Sequence, residues 1–377
     1  MTTDYFLLCF PNAPDLSNLR NRDSSRGSNP LLTIQVMQED HMSMPDADGP
    51  PWLARLKEFA VPDRKKATIQ LIDTLIPYFS ILVLMYLTIR WAAPVWVTIA
   101  LSIPAGSFMV RAFILFHDCC HGSFLKSRRA MDIIGTVLGI VTFTPYSEWR
   151  NSHGIHHSTV GNLDRRGVGD VWTMTVEEYR ASPRFRRFLY RGYRHPVILF
   201  GFGPFFLFLL INRFPKKNAK TKQSRSVVLT NLAILGLALF FSFLIGPRAY
   251  LLIQIPTLFF SALAGIWLFY VQHQFDPTYW ARSEDWQSLE ASMNGSSFYK
   301  LPKVLQWFSG NIGMHHIHHL LPRIPNYRLQ ACLDAIPELV LDKPLTFWRS
   351  LRAVSLNLWD EAGRRLVSFR ELRHLRA

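Results

Sequence analysis

Apolar residues in this chain gather into long runs set apart by basic and polar stretches, rather than alternating with polar ones. A helix needs about 20 mostly apolar residues to cross the hydrocarbon of a bilayer. Four runs reach that length, at residues 74–91, 95–116, 227–245 and 250–271. Two shorter runs, 133–145 and 196–211, are expected to be re-entrant, interfacial or buried helices. Residues 1–60 read as a polar tail, either disordered or lying in part upstream of a start at Met37, Met42 or Met44. The apolar stretch at residues 6–10 is too short, and too poor in preceding basic residues, for a signal peptide.

Charge orients the runs, because Lys and Arg collect on the cytoplasmic side of a membrane. The links between the first and second runs and between the third and fourth carry only Arg90 and Arg248. Arg64, Lys65 and Lys66 precede the first run, and a long basic insertion from Lys126 to Lys222 separates the second from the third. If either shorter run crossed alone, an arginine-rich loop would be thrown outside, so both are expected not to cross. The expected fold is an all-α integral membrane protein. Four transmembrane helices in two hairpins carry a cytoplasmic helical cap, and residues 343–377 form a basic C-terminal tail.

Composition supports this and narrows the chemistry. Hydrophobic residues make up 49% of the 377 and aromatics 14%, as suits a membrane protein. Cys9, Cys119, Cys120 and Cys332 form no C-x-x-C pair, which argues against a thiolate zinc site or a disulfide framework. The net charge of +15 comes from blocks between apolar runs, so nucleic acid is not an expected partner.

Ten of the thirteen histidines fall in four patches: His117 and His121; His153, His156 and His157; His273; and His315, His316, His318 and His319. Residues three and four apart share a helix face, so His117/His121, His153/His156/His157 and His315/His318/His319 can each aim imidazoles at a common point. On the charge-derived topology all four patches lie on the cytoplasmic side. His316 lies off the shared face and is expected to play a supporting or structural role. Neutral imidazoles suit iron, copper, nickel or zinc, not calcium or magnesium. One ion rarely takes more than about four protein ligands, so nine or ten histidines imply two ions. The absence of H-E-x-x-H argues against a zinc hydrolase. An imidazole-rich site beside the bilayer favours redox chemistry on an apolar substrate, with two non-haem irons the preferred assignment and dioxygen the source of oxidising power.

The segments HDCCH (117–121), HGIHH (153–157) and HHIHH (315–319) resemble the three histidine boxes of the membrane fatty acyl desaturase family. TFTPYSEWRNSHGIHH, GNLDRRGVGDVWT, YVQHQF and YKLPKVLQWFSGNIGMHHIHHLLPRIPNY resemble its bacterial acyl-lipid branch, related to plant omega-6 enzymes. The resemblance spans residues 63–342, giving a desaturase domain at 61–342. It implies that His117, His121, His153, His156, His157, His273, His315, His318 and His319 hold two irons under a cytoplasmic cap. It also implies insertion of a cis double bond into a membrane-lipid acyl chain, omega-6/delta-12 being the favoured position. Hydroxylase, ketolase or epoxygenase chemistry is the alternative at the same site, and metal transport is the alternative of another class. A bacterial inner membrane is the expected location. His195-Pro196 is not followed by Gly-Gly, so no fused haem domain is expected and electrons come from a separate ferredoxin or cytochrome. Cys120 departs from the family, which usually has Gly there, and raises the questions of a looser helix contact and of oxidation near iron.

Metal-bound imidazoles usually donate their other N–H to a carboxylate or carbonyl. Asp118, Asp170 and Asn311 are the main candidates, with Glu148, Asp164 and Asp276 also near the boxes. Arg111 is expected to snorkel to the cytoplasmic edge. Tyr146, Trp149, Trp172 and Trp267 are candidates to line an acyl channel, or equally belong to an interfacial belt. The stretch 180–194, rich in Arg and aromatics, is expected at the membrane surface, facing anionic headgroups or an acidic electron donor. His41, His195 and His374 are expected at the surface.

Overall fold

The structure, a computed structural model, describes residues 50–375. In chain order its α-helices are α1 (Pro51–Arg55), α2 (Arg64–Arg90), α3 (Val95–His121), α4 (Arg128–Val141), α5 (Tyr146–Thr159), α6 (Val176–Ala181), α7 (Arg184–Tyr193), α8 (Gly203–Leu209), α9 (Thr221–Ile245), α10 (Pro247–His273), α11 (Ser288–Asn294), α12 (Lys303–Phe308), α13 (His315–Leu320), α14 (Asn326–Ala335) and α15 (Phe347–Ser350). The four long apolar runs become the spans α2, α3, α9 and α10. Each is longer than its apolar run, because a helix continues past the hydrocarbon until a cap stops it. Asp63 caps α2 by accepting from Lys66 N–H at 3.1 Å. Gly122, left-handed at φ 72°, ends α3 directly after His121.

Spans α3 and α10 lie against each other, and Gly106 makes this possible: a Cβ there would stand 3.0 Å from Ser261 N and 3.2 Å from the Thr257 carbonyl. Both spans end in histidine, so this pairing brings the first box beside His273. Span α9 exposes Leu229, Leu239 and Phe243, as a lipid-facing helix does.

The two shorter apolar runs are bent. Helices α4 and α5 meet at 98°, and α7 meets the segment Val197–Arg213 at 58°. Ser127 caps α4 through Ala130 N–H at 3.2 Å, and the turn at 142–145 sends α5 back beneath the span ends with the second box.

Parts of the chain read as tails are folded. Residues 1–49 lie outside the described residues, but α1 and the turn Leu56–Phe59 bury Leu53 and Leu56 against Ile317, Leu321 and Ile336. The C-terminal stretch is no loose tail. Strands β1 (Met174–Thr175), β4 (Leu358–Asp360) and β5 (Arg365–Val367) form one sheet, with β1 parallel and β5 antiparallel to β4, and β2 (Tyr299–Lys300) pairs in parallel with β3 (Leu345–Thr346). Strands of two or three residues leave no periodic signal, so the helical pattern concealed them.

Two arginines also depart from expectation. Arg111 does not snorkel: it is 2% exposed, its Nε–H donates to Thr74 Oγ1 at 3.0 Å, and its Nη1 donates to the Trp307 carbonyl. Its Nη2 lies 3.4 Å from Asp73 Oδ1, and Cζ sits 3.8 Å from the centroid of the Trp307 ring. It therefore pins α2, α3 and α12 together. Arg194, the last of the basic stretch, is likewise buried and donates to the Trp172 carbonyl, Tyr270 Oη, Gln274 Oε1 and the Leu356 carbonyl. The rest of α7 keeps Arg184, Phe185, Phe188 and Arg191 exposed.

Candidate metal centre

Nine histidines from four helices meet in two groups. His117, His121, His153, His157 and His318 form one, and His156, His273, His315 and His319 the other; within each, the candidate ligand atoms lie within 4.8 Å of one another. Helix periodicity explains how each element serves both. In α5 the i,i+4 pair His153/His157 faces the first group and His156 the second. Helix α13 reverses the assignment, sending His315/His319 to the second group and His318 to the first. The last turn of α3 adds a pair to the first group, and the end of α10 adds His273 to the second. The groups adjoin: the rings of His157 and His319 stack with centroids 4.1 Å apart.

The nitrogens are placed as ligands of an ion would be. His273 Nε2 lies 3.1 Å from His156 Nε2 and 3.0 Å from His315 Nε2, and His157 Nε2 lies 3.0 Å from His153 Nε2 and 3.1 Å from His318 Nε2. Neighbouring ligands with bonds of about 2.1 Å meeting near a right angle stand about 3 Å apart. His273 Nδ1 is 3.1 Å from the Gly295 carbonyl, which fixes the proton on Nδ1 and leaves Nε2 with a free lone pair. Burial, reinforced by the neighbouring imidazoles, holds His153, His156, His157, His315, His318 and His319 well below the usual histidine range. They are therefore neutral at pH 7 and available as donors.

His316 stands outside both groups. Its Nε2 lies 2.9 Å from the Leu339 carbonyl, and burial lowers its pKa to about 4. Asp118 is buried with Oδ1 3.5 Å from His117 Nδ1. Asp170 and Asn311 reach no imidazole among the described residues: Asp170 Oδ1 accepts from Gly167 N–H at 2.7 Å, and Asn311 Nδ2 donates to the Asn326 carbonyl at 3.1 Å. Glu148 pairs with Lys216 and Asp164 with Arg282. No hydrogen bond or ion pair of the Asp276 side chain occurs among the described residues. His195 and His374 are exposed, and His41 lies outside the described residues.

Sequence reasoning did not single out Asn326, Gln70 or Gly169. Asn326 bridges Asp118 to Gln70 of the first span. Gly169 packs against the second box: its φ is +74°, and a Cβ there would stand 2.9 Å from His156 Cβ. The one signal for Asn326 was its place directly after Pro325, at the start of a helix.

Cys120 is not among the grouped histidines. It is 3% exposed in an apolar cluster that includes Phe116, Phe124, Met131 and Tyr146, so the helix contact there is filled.

An apolar cavity of about 1130 Å³, its mouth included, touches both groups through His117, His153 and His315. Phe113, Leu207, Phe208, Leu258 and Phe269 form much of its wall. Of the four aromatic candidates only Trp149 lines it, stacked on His153 at 4.2 Å. Tyr146 Oη is instead 2.9 Å from the Cys119 carbonyl, Trp267 Nε1 is 3.4 Å from Tyr299 Oη, and Trp172 faces the Arg166 guanidinium.

Known proteins share this arrangement of sequence. A Bacillus subtilis fatty acid desaturase is 45% identical over 317 residues, 84% of this chain and 90% of that protein. The sn-1 oleoyl-lipid 12-desaturase of Synechocystis is 28% identical over 237 residues, 62% of this chain and 66% of that protein. The spinach chloroplastic omega-6 fatty acid desaturase is 26% identical over 286 residues, 70% of this chain and 60% of that protein. A family model for fatty acid desaturases matches residues 57–350. With its four apolar spans and the histidine groups at their ends, the chain belongs to the fatty acid desaturase family.

Proposed function

We propose that this protein is a dioxygen-dependent desaturase with two non-haem irons, inserting a cis double bond into the acyl chain of a membrane lipid. The observation that carries the reading is the junction of two all-imidazole groups with one apolar cavity. Omega-6/delta-12 placement is favoured by the names of the spinach and Synechocystis relatives. The balance is one saturated –CH2–CH2– unit, dioxygen, two electrons and two protons giving –CH=CH– and two waters. An outside donor such as ferredoxin or a cytochrome supplies the electrons.

The donor set fits iron: neutral nitrogens, no carboxylate in either group, and space for two ions side by side. His117, His121, His153, His157 and His318 would hold one ion, and His156, His273, His315 and His319 the other. Bound there, the irons supply the oxidising power that no side chain has for an unactivated methylene. The protein's own work is placement and exclusion. Phe113, Leu207, Phe208 and Phe269 accept hydrocarbon and exclude water, and Trp149 holds the His153 ring in plane. Asp118 Oδ1 stands 3.5 Å from His117 Nδ1, a negative charge that would favour the proton on that nitrogen. The basic segments flanking the spans favour a cytoplasmic site at a bacterial inner membrane, with neither shorter apolar run crossing alone. The residues between 61 and 342 would then form the catalytic unit, steadied by the chain on either side.

Expression in a host whose lipids are monounsaturated tests this. Gas chromatography with mass spectrometry of its fatty acids should show new chains two mass units lighter. A gain of oxygen would mean hydroxylation, and an unchanged profile with iron bound would refute both. Histidines at span ends rather than at mid-bilayer disfavour transport, and metal flux into sealed vesicles is expected to be absent.

A further inference from the structure

Strands β2 and β3 run parallel, with Tyr299 beside Leu345 and Lys300 beside Thr346. Parallel pairing sends both chains out of the sheet at the same end, where Lys303 begins α12 and Phe347 begins α15. Both segments leave large apolar side chains uncovered. Val304 is 67% and Trp348 76% exposed, and Leu305, Trp307, Phe347 and Leu351 are exposed as well. Residues 299–308 and 343–355 also carry Lys300, Lys303, Lys343, Arg349 and Arg352, all exposed, and no Asp or Glu. Bare apolar area joined to charge of a single sign marks an interaction surface.

The depth of this surface identifies what covers it. Helix α12 is held against span α3: Arg111 Nη1 donates to the Trp307 carbonyl, and the Phe108 ring stands 5.9 Å from that of Trp307 and 5.0 Å from that of Phe308. Arg111 and Phe108 belong to the apolar run 95–116 and lie about 9 and 14 Å of helix rise before His117. So α12 sits alongside the part of the span that hydrocarbon surrounds, a level that a water-soluble protein partner does not reach. The chain at α15 is fastened nearby. Ser350 Oγ lies 3.0 Å from Tyr299 Oη, which in turn lies 3.4 Å from Trp267 Nε1 of span α10. Indoles and aliphatic side chains among Lys and Arg are what an element lying in the membrane interface presents, and five cations without an acid favour anionic headgroups. We infer that α12 and α15 form an interfacial anchor that seats the histidine-bearing cap in a leaflet containing anionic lipid. Val304 and Trp348 enter the acyl boundary, and Lys303 and Arg352 lie among the phosphates. The anchor is separate from the apolar cavity and does not depend on the reaction performed there.

The test uses the full-length protein reconstituted in vesicles of equal parts phosphatidylcholine and phosphatidylglycerol, one of the two lipids being brominated on its acyl chains. A bimane label is carried by Val304→Cys, Trp348→Cys or Glu284→Cys, each with Cys9→Ser; Cys119, Cys120 and Cys332 are buried. Glu284 is exposed on the cap past the end of α5, where Ala281 N–H donates to the Gly161 carbonyl. Bromine should quench the labels at 304 and 348 and spare the one at 284. Brominated phosphatidylglycerol should quench more than brominated phosphatidylcholine, and Lys303→Gln or Arg352→Gln should each lower that local enrichment about fivefold. Neither side chain has a hydrogen bond or ion pair among the described residues, so both variants should fold. Labels at 304 and 348 that escape quenching overturn the inference, because protein then covers the surface. Equal quenching by the two lipids, or enrichment unchanged in both glutamine variants, overturns the choice of anionic lipid. None of these outcomes bears on the desaturase reading, which the fatty acid profile of the host decides.

Discussion

Asp118 Oδ2 accepts two hydrogen bonds from Asn326, from its backbone N–H at 2.8 Å and its side-chain Nδ2 at 2.9 Å. Asp118 sits in the first histidine box and Asn326 at the start of a cap helix, so the pair locks the cap onto the end of the second span. The Asn326 amide also pairs reciprocally with Gln70 of the first span, at 2.7 and 3.1 Å. With one oxygen held this way, the other is presented to His117.

Asn326→Leu should therefore act at a distance from the metals. It leaves a buried carboxylate oxygen short of partners, costing about 1–3 kcal/mol, and frees His117 to reorient, weakening metal affinity by about 10- to 100-fold. Iron content against a graded chelator, with thermal unfolding alongside, checks both. Lower stability with unchanged iron retention would confine Asn326 to packing.

The division of the histidines predicts selective losses. His315→Ala removes a nitrogen from the group of four, and His121→Ala one from the group of five. Each should lower bound iron to about one ion per chain and abolish desaturation, since a group short of a ligand binds poorly. His316→Ala, outside both groups, should keep both ions and lose only the stability of its contact at Leu339. Equal loss of iron in all three variants would refute the division.

Arg111 is enclosed by Asp73, Thr74 and Trp307, and its planar fork serves all three at once. Arg111→Met should cost about 3 kcal/mol, and Arg111→Lys should recover little of it, because an ammonium cannot both stack on Trp307 and reach Thr74 and Asp73. Thermal unfolding of the three proteins in one detergent decides this. Full recovery by lysine would show that only charge matters.

Burial raises the Asp170 carboxyl to about 6, outweighing the Gly167 N–H hydrogen bond and the Arg166 charge, which both favour the carboxylate. A carboxyl whose folded pKa lies above its unfolded value favours folding in the protonated form. That contribution is whole below about pH 4 and is lost as pH rises through 6. The protein should therefore lose on the order of 1–3 kcal/mol between pH 4.5 and 7.5 from this group. Asp170→Asn should flatten that part of the profile while keeping an acceptor for Gly167. A wild-type and variant pair with parallel pH profiles would refute the assignment.

The order of the four spans and the clustering of the nine histidines were legible in the chain, because apolar length and helical spacing are local properties. Helical spacing also determined that His153 and His157 point together. It did not determine that His156 leaves them for His273, or that His318 leaves His315 and His319, because each choice depends on which helix lies opposite. That is fixed by the close approach of α3 and α10 at Gly106 and by the 98° turn into α5. Arg111 reads the same in sequence whether it reaches water or stacks on Trp307, nearly two hundred residues away. Asp118 was a candidate by proximity to its box, whereas Asn326 carried only its place after Pro325 and Gln70 no mark at all. Their role exists only where a buried carboxylate must find partners, and only the folded chain decides which groups come within reach.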